Sequence, residues 1–150
     1  PAGRLPDSSL LRQSWTSGQR LEVHASCRQW LEYWLPHWKA GHLLTIDYGG
    51  AADEIYHRKP AGTIRGHYHH ERVTGTNLYR LPGRQNLTAD VNFDDLARWG
   101  EELGLHDHRL VTQRKYCSPF LGKSSSLAER FLTNLHGAGQ AFKVLVQERG

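Results

Sequence analysis

Methionine is absent from this 150-residue chain, and cysteine occurs only twice, at Cys27 and Cys117. Pro1 therefore either follows a removed initiator or opens a piece cut from a longer protein. The cysteines have no CxxC partners, so neither a structural zinc site nor a disulfide scaffold is indicated. That usage fits a reducing, cytoplasmic compartment. Long apolar runs are also missing. The longest near the middle is Leu43-Leu44-Thr45-Ile46, far short of the roughly 20 residues of a membrane span. The polar stretch Pro1–Gly18 does not read as a secretory leader. No block of like charge forms. Lys plus Arg is 19 against 15 for Asp plus Glu, a net charge of +4 that is spread along the chain. Nucleic-acid footprints cluster on one face or run, so this pattern reads as solvated surface and argues against a nucleic-acid partner.

What remains is an ordinary globular balance, 38% hydrophobic and 23% charged, sized for one domain. Residues 1–18 lack any period and read as a loop or frayed end. Gln19–His24 could form a short strand. From Ala25 to Ala40, Trp30, Leu31, Trp34, Leu35 and Trp38 recur at helical spacing and predict a core-facing helix. Ser26 is placed to cap it, Pro36 to divide it and Gly41 to end it. His42–Asp47 reads as a strand whose unbroken apolar run suits a central position covered on both faces, as in a parallel sheet. Residues 49–91 form a long loop with short strand pairing near Thr63–Tyr68. Asn92 caps a helix to Leu103 that Gly104 stops. Arg109–Gln113 is a strand, Ser124–His136 a helix, and Ala141–Glu148 a strand near an edge or in a mixed sheet. This order is α/β.

Asp47 and Tyr48 lie at the carboxyl end of the presumed central strand, before Gly49-Gly50, where α/β folds place ligand chemistry. Asp47 as a mere cap of local amides is the competing reading. Two further polar stretches stand out, Gly62-Thr63-Ile64-Arg65-Gly66 and Pro82 through Phe93. An arginine such as Arg65 can fix a carboxylate or brace a loop through its fork of donors. No dinucleotide fingerprint, Walker loop, GxSxG or HExxH occurs. His67, His69 and His70, with His57 upstream and His106 and His108 downstream, could share a metal. No recognised ligand spacing supports that, and a histidine-rich surface loop is the simpler account.

Taken together, the segments Leu44–Gly49, Gly62–Arg65, Pro82-Gly83, Leu87–Phe93, Thr112-Gln113 and Phe142–Leu145 resemble the MidA-like family of S-adenosylmethionine-dependent methyltransferases. These are relatives of the mitochondrial complex I assembly factor that methylates a protein arginine. Leu21-Glu22-Val23 resembles the family's glutamate-containing segment. The resemblance runs from about Gln19 to Arg149. It departs at Asn86, where the family usually carries aspartate, and at Asp90 and Asn92, where histidine and aspartate are common. A neutral Asn86 cannot serve as a carboxylate base.

The family's glycine-rich cofactor loop and ribose-gripping acid have no match here. The resemblance therefore implies the C-terminal portion of a class I, Rossmann-like methyltransferase sheet. On that reading residues 19–150 are the C-terminal half of the domain, with a long insertion at about 49–91 after the central strand. Such a chain alone would be inactive. S-adenosylmethionine would be held mainly by the missing N-terminal half, in the cytoplasm or, in a eukaryote, the mitochondrial matrix. The implied substrate is a protein arginine. Asp47 and Tyr48 would be catalytic, and Arg65, Asn86, Thr88 and Asp90 would face the substrate. An open sheet edge would need the missing half or a second copy. A non-catalytic binding or assembly module of the same fold is the alternative.

Overall fold

A computed structural model describes residues 7–69, 71–122 and 126–150. It is a mixed α/β arrangement with a four-stranded and a three-stranded sheet. Strand β1 (Gly41–Gly50) runs antiparallel to β7 (Phe142–Arg149) over its length, from Gly41 opposite Arg149 to Tyr48 opposite Phe142. On its other edge β1 meets only the short parallel β5 (Val91–Asn92), at Gly49 and Gly50. β6 (His106–Thr112) pairs antiparallel with the far edge of β7, giving the order β5-β1-β7-β6.

This corrects the expected placement of β1. β1 is not a central strand of a parallel sheet. Gly41–Tyr48 has no second neighbour among the described residues, and Leu44, Ile46 and Tyr48 remain 43%, 46% and 42% exposed. β7, expected near an edge or in a mixed sheet, lies inside a mixed sheet, antiparallel to β1 and β6 while β5 runs parallel to β1. Val144 and Leu145 point to opposite faces and both are buried, because helices cover β7 on both sides.

One face carries α1 (Ala25–Trp34) and α3 (Phe93–Glu102). Leu31, Leu35, Phe93, Leu96, Trp99, Leu105 and Leu145 form the main core. Pro36 divides the first helix from a 3-10 turn at Leu35–His37, as its missing amide requires. Only part of the tryptophan stripe is core. Leu31 and Leu35 are buried, whereas Trp30 and Trp34 are each 51% exposed. They overhang the free edge of β1, Trp34 with only the neighbouring Tyr33 ring edge-on at 5.3 Å among the described residues. Ser26 does not cap α1: the helix starts one residue earlier and His24 holds the cap position without a side-chain bond. Asn92 does cap α3, accepting from the Asp94 amide at 3.1 Å, and Gly104 leaves the helix at φ +92°.

The opposite face is covered near β6 and β7 by α4 (Gln113–Cys117) and α6 (Ala138–Ala141), with α5 (Leu127–Leu132) against them. α5 is shorter than expected. It opens at Ser126, where a capping box with Glu129 satisfies both backbone ends; Ser124 lies outside the described residues.

Gln19–His24 is not a strand. Its polar backbone groups go to loop partners instead, Arg20 N to Pro60 O at 2.9 Å and Glu22 N to Tyr56 Oη at 2.8 Å. From Asp7 onward the segment before Gln19, read as a loop or frayed end, is tied down. Ser8 and Leu10 are fully buried. Ser8 Oγ donates to Asp95 Oδ2 at 2.5 Å, Ser9 N donates to Asp95 Oδ1 at 2.6 Å, and Trp99 Nε1 donates to Asp7 O at 2.8 Å. Leu10 joins Ala52, Ile55 and Tyr56 of α2 (Ala52–Tyr56) in a second small core.

Candidate functional site

The stretch between β1 and α3 is built rather than loose. Beyond α2, β2 (Arg65–Tyr68) pairs antiparallel with β3 (Glu71–Val73) on one side and β4 (Asn86–Thr88) on the other. Where this small sheet meets the N-terminal segment and α2, polar side chains converge.

Glu22 is the hub. Its carboxylate accepts from Tyr56 Oη at 2.8 Å, from the Thr63 amide at 3.0 Å, and from Thr63 Oγ1 at 2.8 Å. Gly62 makes the approach possible: it turns at φ +79°, and a Cβ there would stand 2.1 Å from Glu22 Oε1. The Tyr56 ring is buried in the second core with Trp15 packed edge-on at 5.6 Å. Burial, reinforced by the Glu22 carboxylate, raises the phenol's pKa well above its ordinary value, so Tyr56 is a fixed proton donor at neutral pH.

Thr63 passes the network on, its Oγ1 accepting from the Asp90 amide at 3.1 Å. The Asp90 carboxylate is shared by two cations, with Arg65 Nη1 at 2.7 Å and Lys59 Nζ at 2.8 Å. Burial alone would raise the Asp90 pKa. The hydrogen bonds from Lys59 and Arg65 outweigh that and hold the carboxyl below its ordinary range. Arg65 in turn lies over the Tyr48 ring, 5.7 Å from its centre, and Tyr48 stacks on Phe142 at 3.9 Å. The guanidinium is thus fixed by a carboxylate on one side and an aromatic face on the other.

Of the six residues singled out from sequence, Tyr48, Arg65 and Asp90 come together, and Thr88 stands opposite Arg65 in the β2–β4 register. Thr88 Oγ1 is buried with no hydrogen-bond partner among the described residues. Asn86, at the far end of β4, is exposed and pairs across to His67. Asp47 is apart from the cluster. Its Oδ1 accepts from the neighbouring Tyr48 amide at 2.7 Å, and the residue lines an apolar groove with Cys27, Trp30, Leu44 and Ile46 along the free edge of β1. Tyr56 and Lys59 were not foreseen as site residues. Neither has a local pattern that marks it; both are recruited by contacts with residues 22 and 90. Glu22 did leave a signal, a lone carboxylate between Leu21 and Val23.

The histidines do not assemble. β2 ends at Tyr68, and His69 sits in the following turn at φ +48°, out of the strand alternation that would align it with His67. His70 lies outside the described residues. Among the described residues, no group of three histidine, cysteine or carboxylate side chains is placed to hold a metal.

Residues 4–111 match a family described as "Putative S-adenosyl-L-methionine-dependent methyltransferase". Two crystal structures from Burkholderia thailandensis share the fold. One is of a superfamily member assigned as a methyl transferase and bound to S-adenosyl-homocysteine. It is 25% identical, covers 88% of this chain and 38% of its own, and superposes with a TM-score of 0.73. The other, a native structure from the same superfamily, is 22% identical with a TM-score of 0.63, over 89% of this chain and 41% of its own. The chain therefore spans about two fifths of the length of the solved structures it matches. Comparison with curated proteins gives no match.

Proposed function

The chain belongs to this family of S-adenosyl-L-methionine-dependent methyltransferases, and from that premise we propose that it is the substrate-side, C-terminal part of a class I methyltransferase acting on a protein arginine. The observation that carries its methyltransferase part is the family match over residues 4–111, supported by the superposition on a chain that holds S-adenosyl-homocysteine.

The described residues do not by themselves suit the cofactor. The one glycine pair leading from a strand into a helix is Gly49-Gly50, and it is committed to packing. A Cβ at Gly49 would fall 2.0 Å from Val91 O, so glycine there serves the close β1–β5 contact. The helix that follows, α2, carries Asp53 and Glu54 in its first turn and would repel the cofactor's carboxylate. S-adenosylmethionine, the methyl donor, is accordingly assigned to residues upstream in a longer protein. The free edge of β1, with Leu44, Ile46 and the overhanging Trp30, is where that portion would dock.

Within this frame the residues divide by position. Asp47 and Tyr48 end the strand closest to the docking edge and are assigned to the reacting side, Asp47 to orient the substrate's guanidino group and take the proton that its nitrogen loses as the methyl group passes to it from the sulfonium, which leaves as the neutral thioether. Thr88 offers an unsatisfied hydroxyl to a substrate, and Arg65, braced by Asp90, shapes the wall beside it. Asn86 supplies an exposed amide.

The test is transfer of a labelled methyl group from S-adenosylmethionine to arginine-containing protein by the full-length enzyme. Asp47→Asn should abolish transfer while leaving the Tm within about 3 °C, a shift of about 1 kcal/mol in a domain this size. Undiminished transfer by Asp47→Asn would remove Asp47 from the chemistry. No transfer to any protein by the wild-type enzyme would leave the non-catalytic binding module.

A further inference from the structure

The loop after α2 and the adjoining tip of β3 enclose a cleft of about 320 Å3. Its lining is strongly one-signed. Arg58, Lys59, Arg65 and Arg72 face it, and Asp90 is the only carboxylate among the lining residues. Glu22 stands behind Thr63, but its oxygens are taken by Tyr56 and Thr63. Four cations against these two carboxylates leave a local excess of +2. Lys59 and Arg65 are engaged with Asp90. The side chains of Arg58 and Arg72 make no hydrogen bond or ion pair among the described residues. Arg58 is moreover held at φ +56°, a left-handed conformation unusual for a residue with a Cβ. That conformation breaks the chain away from α2 at the residue whose guanidinium lines the cleft.

Two open guanidinium forks on a partly screened surface call for anions, and carboxylates match their planar geometry in pairs. The cleft wall contains no aromatic ring, so a nucleic-acid strand would find charge without a surface on which to stack its bases. A peptide would find more. β3 is an edge strand of the small sheet, in the order β3-β2-β4, and Arg72 lies on it. Its outer backbone groups are available to an extended segment laid alongside.

We propose that this cleft binds an acidic peptide segment, its carboxylates held by Arg58 and Arg72 and its backbone aligned by β3. The inference rests on the protein-substrate reading above and deepens it: the methylated protein carries glutamates or aspartates close to the target arginine. Acidic neighbours anchor the substrate at the cleft and leave its arginine to the Tyr48 side of Arg65.

Binding is measured by fluorescence anisotropy on the full-length protein, with a labelled peptide carrying consecutive glutamates and the same peptide with glutamines. The glutamate peptide should bind at least about tenfold more tightly. Its affinity should fall as salt rises. Arg58→Ala combined with Arg72→Ala should remove that advantage while leaving S-adenosylmethionine binding unchanged, since neither residue belongs to the proposed reacting side. Equal binding of the two peptides, or an advantage that survives the double substitution, would overturn the proposal. So would tighter binding of a single-stranded oligonucleotide than of the glutamate peptide at the same arginines. The assay needs no cofactor and no turnover, so failure of the methyltransferase reading would appear separately, as absent S-adenosylmethionine binding.

Discussion

Arg65 and Asp90 are joined at 2.7 Å across the seam between the small sheet and the start of β5, with both side chains largely withdrawn from solvent. The pair does more than neutralise charge. It holds the guanidinium over Tyr48, and so sets the position of the strand end that carries Asp47 and Tyr48 relative to the inserted segment.

Removing Arg65 should therefore cost stability as well as order. Arg65→Ala leaves Asp90 with Lys59 alone, and a loss of about 1–3 kcal/mol is expected, as for a lost charge-assisted hydrogen bond. Arg65→Lys should recover little, because an ammonium reaching Asp90 cannot also lay a planar cation over the Tyr48 ring. Urea denaturation of the three forms measures both differences.

The same pair sets an acid limit. Asp90 is held below the ordinary 3.8 by Lys59 and Arg65, which outweigh burial. A group with a lowered folded-state pKa stabilises fully above its unfolded value and loses that contribution as pH falls through the folded one. Stability should thus be flat in this respect at neutral pH and decline below about pH 4. Asp90→Asn should lower neutral-pH stability and flatten the acid decline. An unchanged acid limb in Asp90→Asn would assign the decline to other carboxylates.

Glu22 and Tyr56 should act as a unit. Glu22→Gln keeps the shape but weakens the acceptor for the Tyr56 hydroxyl and both Thr63 donors, and Tyr56→Phe removes the hydroxyl from the other side. A double-mutant cycle should give a coupling of about 0.5–3 kcal/mol. Additive effects would mean that the hydroxyl and carboxylate do not depend on one another.

Asp95 anchors the chain's irregular start. It is buried and accepts from Ser8 Oγ and Ser9 N. Asp95→Ala should leave both donors unsatisfied, cost about 1–3 kcal/mol per buried group, and open residues 7–15 to limited proteolysis. Resistance equal to the parent would show that Leu10 and Trp15 hold the segment without it.

Where local physics decided the outcome, the sequence was readable. Pro36 divided the first helix, Asn92 and Gly104 bounded α3, and alternation marked β7. Glu22, Gly62, Arg65 and Asp90 could be noticed as residues of the right kind. Their assembly was not visible, because it depends on contacts between positions 22, 56, 63 and 90, which no window along the chain contains. The misplaced strand has a similar cause. Leu43–Ile46 reads as buried on both faces, yet Leu44 and Ile46 stand open beside Trp30. An apolar run records that a surface is meant to be covered, and not what covers it. Residues 7–18 show no periodicity, yet Asp95 supplies two of the bonds that fix Ser8 and Ser9, a contact that no local pattern announces.

The proposed division gives this stretch the substrate side and leaves the methyl donor to upstream residues. Calorimetric titration of S-adenosylmethionine into the 150-residue chain, and into a form extended upstream of Pro1, tests it directly. No binding heat is expected for the chain alone, and one-to-one binding for the extended form. One-to-one binding by the 150-residue chain would contradict it, and would mean that the cofactor pocket is completed within these residues or between two copies.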